Sequence, residues 1–463
     1  MNLNEKLNEK VNEKLNEKLN EKLNENEKEI KTIFNTKNWV KNHIQKIKMS
    51  STLEMNMKMK KLEDQGKKVY KFGFGQSPFP IPEKMIENIK ENVHENAYPP
   101  VEGIKELRQT IAKFESIQKK QDPTFYSENN VIIGTGSKIN MFNLMTIANC
   151  TVIVVTPAWV SYAKHTEILD LPIEYIHTSF EDNYKLKPQI LQEKLSKING
   201  NALLVINSPN NPTGLSYSKQ EIEELSVVLK KHPVIVLADE IYSLLSFDND
   251  YHSIAEFCPE RTIISSGISK TFGAGGWRLG YFVFPEELTF LIQPMKIITS
   301  HTFSAANLPV QFTTKFAYSN FEQFQEEINK SIIILRSIAN FGYKTFTKAK
   351  IRTIFPNGGF YFYIDFENFR TSLESNNIKD CDSLCEHILQ DANVALLAAN
   401  SFDRDINELA ARLAFVNFDG KLVLDNFSYE YVQKDGFLSD SFLREFCSET
   451  IEGFEKLADW VPK

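Results

Sequence analysis

The sequence predicts an α/β fold built on a mainly parallel sheet, and three observations lead there. Between residue 97 and about residue 290, short apolar runs alternate with helical, amphipathic stretches. The runs carry little polar interruption, as expected of strands covered by helices on both faces. Finally, the residues of unusual chemistry, Gly136, Asn211, Asp239 and Lys270, each follow one of these runs. In open parallel sheets that is where ligands sit.

In chain order, VII (131–133) opens the sheet and the helical GSKINMFNLMTIA follows it. VIVV (152–155) and ILDLPIEYI (168–176) come next, and the amphipathic KPQILQEKLSKI (187–198) leads into ALLVI (202–206). After SPNNPTG comes the helical SKQEIEELSVVLKK (218–231), then VIVLA (234–238), TIIS (262–265) and LGYFVF (279–284). Residues 320–350 read as helix. FYFYIDF (360–366) and ARLAFVNF (411–418) alternate like strands of a smaller α+β unit, and 419–440 reads as an inserted loop. Upstream, GFGQSPFPIP is a proline-rich extended segment that leads from a helix to the large domain. The expected organisation is a tail over 1–49, an arm over 50–96, a large domain over 97–325 and a small domain over 326–463.

Composition excludes several functions. The 463 residues carry a net charge of −7, which gives no electrostatic footprint for nucleic acid. No apolar run approaches the roughly 18 residues of a membrane span. The five cysteines (Cys150, Cys258, Cys381, Cys385 and Cys447) are scattered and odd in number, which argues against a disulfide framework. Cys381 and Cys385 read as ordinary helix residues. The eight histidines show no ligand spacing, so no metal site is expected.

Residues 2–25 repeat N-E-K-L, placing Leu3, Leu7, Val11, Leu15, Leu19 and Leu23 at every fourth position. A strict period of four drifts about 40° per repeat on a helix of 3.6 residues per turn, so no fixed apolar stripe forms. The expectation is a solvated tail or a loose helix laced with Glu–Lys pairs, with a partner-binding coil as the less favoured reading. Its glutamates do not suit a transit peptide, and it lacks the apolar centre of a signal peptide, which leaves the cytosol as the expected location.

The chemistry concentrates in a few short segments. Gly134 and Gly136 follow a strand, but Ile139 stands where a dinucleotide fingerprint needs its third glycine. A glycine turn followed by Ser137 and Lys138 at a helix start still suits a phosphate. Singly, Asn211 in SPNNPTG reads as turn chemistry, Asp239 as a helix cap and Tyr242 as core. Together, an amide, an acid, a phenol, a lysine and an arginine at 211, 239, 242, 270 and 278 are harder to dismiss.

In this order the segments FGFGQSPFPIP, YPPVEGIKELRQTIA, GTGSK, TPAWVSY, SPNNPTG, ADEIY, SKTFGAGGWRLGY and ARLAF resemble the fold-type I pyridoxal-phosphate enzymes, and most closely the class I/II aminotransferases. The resemblance runs from about residue 65 to 463. It implies an aspartate-aminotransferase-like fold, in which a large domain with a mainly parallel seven-stranded sheet flanked by helices is joined to a smaller α+β domain. It also implies pyridoxal 5'-phosphate as cofactor, an amino acid and a keto acid as substrates, and a homodimer.

Carried onto this chain, the resemblance implies that Lys270 forms a Schiff base with the cofactor and later moves the substrate proton. Asp239 would pair with the pyridine nitrogen, since a buried cationic ring needs an anion beside it. Asn211 and Tyr242 would bind the ring's phenolic oxygen, and Trp159 would lie against its face. Gly136, Ser137, Lys138 and Arg278 would hold the phosphate, with Tyr98 reaching in from a partner subunit. Arg412 would fork onto the substrate carboxylate near Gly75, because a planar guanidinium matches two oxygens at once.

Loops around Gln76–Phe79, Thr299–Phe303 and 398–404 would line the side-chain pocket, and nothing in them sets a preference. Two positions depart from the family pattern: Gly267 stands where a phosphate-cup serine is common, and Ala398–Ala399 replaces a Pro-Gly. A carbon–sulfur β-lyase would use the same apparatus. A non-catalytic scaffold acting through the N-terminal repeat would have no use for Lys270, Asp239, Tyr242 and Arg412 together.

Overall fold

The computed structural model describes residues 18, 19, 21–23, 25, 39–47, 51–248 and 250–462, without the side chains of 51–54 and 56. The chain divides into two compact units, Met1–Lys48 and Met49–Lys463. In the first, the described positions of the repeat are helical with Leu19 and Leu23 exposed, and a short helix spans Asn42–Lys46. The remainder of the repeat, and the expectations that fall on it, lie outside the described residues.

The second unit begins with a helix, α1 (Ser51–Asp64), and a short strand, β1 (Tyr70–Lys71). Seven strands then build the large sheet: β2 (Val131–Gly134), β3 (Thr151–Thr156), β4 (Ile173–His177), β5 (Ala202–Asn207), β6 (Val234–Asp239), β7 (Thr262–Gly267) and β8 (Gly280–Val283). Their order is β2-β8-β7-β6-β5-β3-β4. Only β8 runs against its neighbours, pairing antiparallel with both β2 and β7. The apolar runs have a simple cause. On β5, Leu203 and Val205 enter a core with Leu237, Ile263 and Phe282, while Leu204 and Ile206 enter another with Val236 and Ala238. Successive side chains point to opposite faces, so a sheet covered on both sides needs an apolar residue at every step.

A three-stranded antiparallel sheet, β11-β12-β9, is formed by β9 (Tyr361–Asp365), β11 (Leu397–Ala398) and β12 (Ala410–Ala414). β10 (Val394–Ala395) pairs in parallel with β1 and so ties the arm to this part of the chain. Two helices, α2 (Gln325–Lys348) and α3 (Ser448–Trp460), meet over an aromatic core in which the Phe346 and Phe454 rings are 5.2 Å apart.

Three expectations need correction. Residues 168–176 are not one strand: a helix Ser161–Leu169 ends at Asp170 in the left-handed region (φ 56°), and only Ile173–His177 is extended. FYFYIDF and ARLAFVNF do supply strands of the smaller sheet, but without the alternation read from them, because every residue of β9 and β12 is buried. The 419–440 segment is not all loop. Asp419 accepts hydrogen bonds from the Lys421 and Leu422 amides and starts a helix over Gly420–Asp425.

Candidate active site

The large sheet places four of the predicted residues, Gly136, Asn211, Asp239 and Lys270, at or just beyond the carboxyl ends of its parallel strands β2, β5, β6 and β7. Asp239 is the last residue of β6, in register between Asn207 of β5 and Ser265 of β7. Its carboxylate is buried: Oδ2 accepts a 2.5 Å hydrogen bond from the Tyr162 hydroxyl, and Oδ1 has no hydrogen-bond partner among the described residues. Burial raises its pKa to about 6, partly offset by the Tyr162 bond. Behind it, Glu240 pairs with buried Lys119 at 2.5 Å, and Lys119 with Glu115 at 3.0 Å, which anchors this end of β6 to the helix Lys105–Gln118, capped by Lys119.

Lys270 lies in the loop after β7. Its Nζ donates to the Gly75 carbonyl at 2.7 Å and lies 5.6 Å and 5.5 Å from the Tyr242 and Phe360 ring centres. Burial lowers the amine's pKa to about 8, and Arg412 adds to the effect ahead of Arg278. The larger charge effect thus comes from Arg412, on the small sheet, and not from Arg278, eight residues along the chain. The loop reaches this position through Gly273 (φ 62°), where a Cβ would lie 2.4 Å from the Phe79 carbonyl.

A cradle forms at the start of the helix Ser137–Ile147. Gly136 is its N-cap at φ 91°, and the helix has no side-chain cap. A Cβ on Gly136 would fall 2.2 Å from Arg278 Nη2, and one on Gly280 would fall 2.2 Å from the Ser137 nitrogen. The two glycines therefore let Arg278 and the free amides of the helix start converge, an arrangement suited to an anion. Arg278 itself is left-handed (φ 57°) and donates to the Gly275 carbonyl at 2.7 Å. Lys138 Nζ stands 4.8 Å from the Trp159 ring, and Trp159 meets Tyr162 edge-on.

From the small sheet, Arg412 of β12 is buried against the Tyr361 and Phe402 rings. Its Nη1 donates to Asn211 Oδ1 at 3.1 Å and its Nη2 to the Gly73 carbonyl at 2.7 Å, while Nε has no hydrogen-bond partner among the described residues. Gly75 was the expected neighbour of Arg412; the carbonyl it touches is Gly73, and that of Gly75 serves Lys270. Tyr242 shares a 2.8 Å hydrogen bond with Tyr361. Tyr98 stands apart from these groups, 93% exposed.

The departure at Gly267 has a steric reason, since a Cβ there would lie 2.7 Å from the Leu279 carbonyl and 2.8 Å from the Gly280 Cα. At Ala398–Ala399 the chain passes from β11 into a tight turn that delivers Phe402 to Arg412. Sequence reasoning missed Tyr162, Phe360 and Tyr361, while Phe402 falls in the 398–404 loop expected at the side-chain pocket. Only Tyr162, three residues after Trp159 at the start of a helix, carried a signal that could have found it.

Residues 67–415 match the sequence profile of the family described as aminotransferase class I and II. The chain belongs to that family. It is thus a pyridoxal-phosphate-dependent aminotransferase of fold type I. An aspartate aminotransferase of Bacillus subtilis is 29% identical over 371 residues, covering 76% of this chain and 89% of that protein. An asparagine–oxo-acid transaminase of Streptococcus mutans is 28% identical over 377 residues, covering 76% and 89%. Among solved structures, the aspartate aminotransferase of Thermus thermophilus with maleate superposes with a TM-score of 0.75 at 24% identity, covering 90% of this chain and 99% of that one. The Rhizobium meliloti enzyme gives 0.76 at 22% identity, covering 91% and 99%. These superpositions establish that this aminotransferase has the aspartate aminotransferase fold. No helix among the described residues is long and apolar enough to cross a membrane.

Proposed function

We propose that this aminotransferase moves the amino group of an acidic L-amino acid, aspartate first, to a 2-keto acid, with Lys270, Asp239 and Arg412 as its working residues. The observation that carries the reading is the meeting of a half-buried amine of lowered pKa, an unpaired buried carboxylate oxygen and a buried guanidinium around the strand ends. The preference for an acidic substrate rests on the relatives' names and on charge. Lys270 faces Arg412, Arg278 and Lys138, with Asp239 the one acid among its strongest charge partners.

The residues fit pyridoxal phosphate. The free Asp239 Oδ1 suits a ring N–H, the Gly136 cradle with Arg278 suits the phosphate, and the Lys270 amine suits the aldehyde. Ser137 and Lys138 would add phosphate contacts, Trp159 would cover the ring, and Asn211 and Tyr242 would bind its phenolic oxygen. When bound, the cofactor supplies an electron sink for the substrate's Cα.

The chain does the rest. Lys270 Nζ would hold the cofactor and, once free, would take up the substrate's Cα proton, a task eased by its lowered pKa. Arg412 orients the carboxylate with two donors, and the aromatic walls of Phe360 and Phe402 limit water. Exposed Tyr98 suits a second copy of the chain, so the working unit we propose is a homodimer in the cytosol. The large part at 97–325 and the small part at 326–463 would act as its two domains.

An amino acid alone should convert the enzyme to its amine form, and added keto acid should restore it. Aspartate should give the fastest half-reaction in a panel of amino acids. A faster reaction with aromatic or aliphatic amino acids would overturn the substrate assignment. Pyruvate and ammonia from a β-substituted substrate, with no amine form from any amino acid, would overturn the transamination.

Lys270 also sets a pH dependence. Reloading of the cofactor-free chain should accelerate with rising pH through a midpoint near 8, because only the neutral amine attacks the aldehyde. A midpoint above about 10, the range of an ordinary lysine, would show that the amine is not buried as described.

A further inference from the structure

Tyr361 is the group on which the site's contacts converge, yet no role described so far uses it. It is the first residue of β9, 1% exposed, two positions before Tyr363, which pairs with Arg412 across the sheet. Its hydroxyl lies 2.8 Å from the Tyr242 hydroxyl and 3.4 Å from the Gly75 carbonyl, and its ring centre lies 4.9 Å from the Arg412 guanidinium. Gly75 is shaped to it: a Cβ there would fall 2.1 Å from the Tyr361 oxygen.

We propose that Tyr361 is a positioning residue for transamination, its hydroxyl relaying the position of Lys270 to the Tyr242 phenol and its ring holding Arg412 for the substrate carboxylate. The proposal rests on the reading of Lys270 and Arg412 given above. A tyrosine hydroxyl has one proton to give and lone pairs that accept. While Lys270 donates to the Gly75 carbonyl at 2.7 Å, Tyr361 keeps only a long 3.4 Å bond to that acceptor, and its proton is shared between that bond and the shorter contact to Tyr242. When Lys270 leaves the carbonyl, Tyr361 turns its proton to Gly75 and accepts the proton of Tyr242 instead. Tyr242 thus donates in one direction or the other according to where Lys270 stands. The ring acts separately, since a guanidinium over an aromatic face is held in place without using its N–H donors.

Two variants separate the roles. Tyr361→Phe keeps the ring, so KM for the amino acid should stay within about twofold, while kcat falls about fivefold to tenfold, the scale of one lost hydrogen bond. In the full-length chain freed of cofactor, the pH midpoint for labelling Lys270 with an amine reagent, located by mass spectrometry, should rise by about half a unit. The Gly75 carbonyl would then serve the ammonium alone. Tyr361→Leu removes the ring as well and should raise KM by a further factor of about five.

Combining Tyr361→Phe with Tyr242→Phe should cost no more in kcat than Tyr242→Phe alone, because both remove one shared proton. Additive losses, an unmoved Lys270 midpoint, or a raised KM with unchanged kcat in Tyr361→Phe would each overturn the relay. An unchanged KM in Tyr361→Leu would overturn the role of the ring. A wild-type protein that holds no cofactor on Lys270 would instead sink the reading on which the proposal rests.

Discussion

Replacing Lys270 with alanine will lower transamination by at least about 10⁴-fold. On the proposed reading the amine serves twice, as covalent anchor and as proton carrier, and losing general acid–base catalysis alone typically costs 10²–10⁴-fold. The check is the single-turnover rate with excess amino acid, followed by the change in cofactor absorbance. Treatment with borohydride should fix the cofactor irreversibly on Lys270 in the parent protein and on no residue of the variant. A reduced adduct on another lysine would remove Lys270 from the centre of the site. The geometry favours Lys270, since its Nζ is held over two aromatic rings by one carbonyl, with its pKa drawn down to about 8.

Asp239→Asn is the second large effect, expected to slow turnover at least about a hundredfold, the scale on which preorganised electrostatic groups contribute. An asparagine fills the same space and still accepts from Tyr162, but it brings no negative charge to a ring nitrogen. Cofactor would still link to Lys270, so the variant should remain yellow while reacting slowly. Near-normal turnover would mean that Asp239 is only a strand-end residue. Acid should imitate the variant in part. With a pKa raised to about 6, the carboxyl takes up a proton as pH falls through 6 in the cofactor-free chain, and cofactor affinity should weaken there.

The large sheet is legible in the sequence because each parallel strand is a compact apolar run ending in a residue of distinctive chemistry, as β6 ends in Asp239. The loop of Lys270 is legible for a related reason: its glycines and Arg278 lie within a dozen residues, so local spacing records the geometry. What escapes the sequence is contact across distance. Tyr361 lies 119 residues from Tyr242, and Tyr162 lies 77 from Asp239, so no local pattern pairs them. Arg412 is legible only through the family resemblance, because its burial depends on β12 being covered on both sides. Asp170 hides a helix end inside an apolar run, because the left-handed turn that stops the helix uses an ordinary-looking residue.

The gathering of Arg412, Arg278 and Lys138 about Lys270, with Asp239 the one acid among its strongest charge partners, has a kinetic consequence. The chain as a whole carries a net charge of −7, so a dianion approaching from bulk water first meets repulsion. At physiological ionic strength that repulsion fades beyond about 8 Å, the screening length, while the cations stand behind low-dielectric walls that screen them less. On the proposed reading, capture of an acidic substrate would be decided in the last few ångströms of its approach. Added salt removes the distant repulsion before it weakens the local attraction, so encounter at this site tolerates ionic strength better than steering by a uniformly positive surface would.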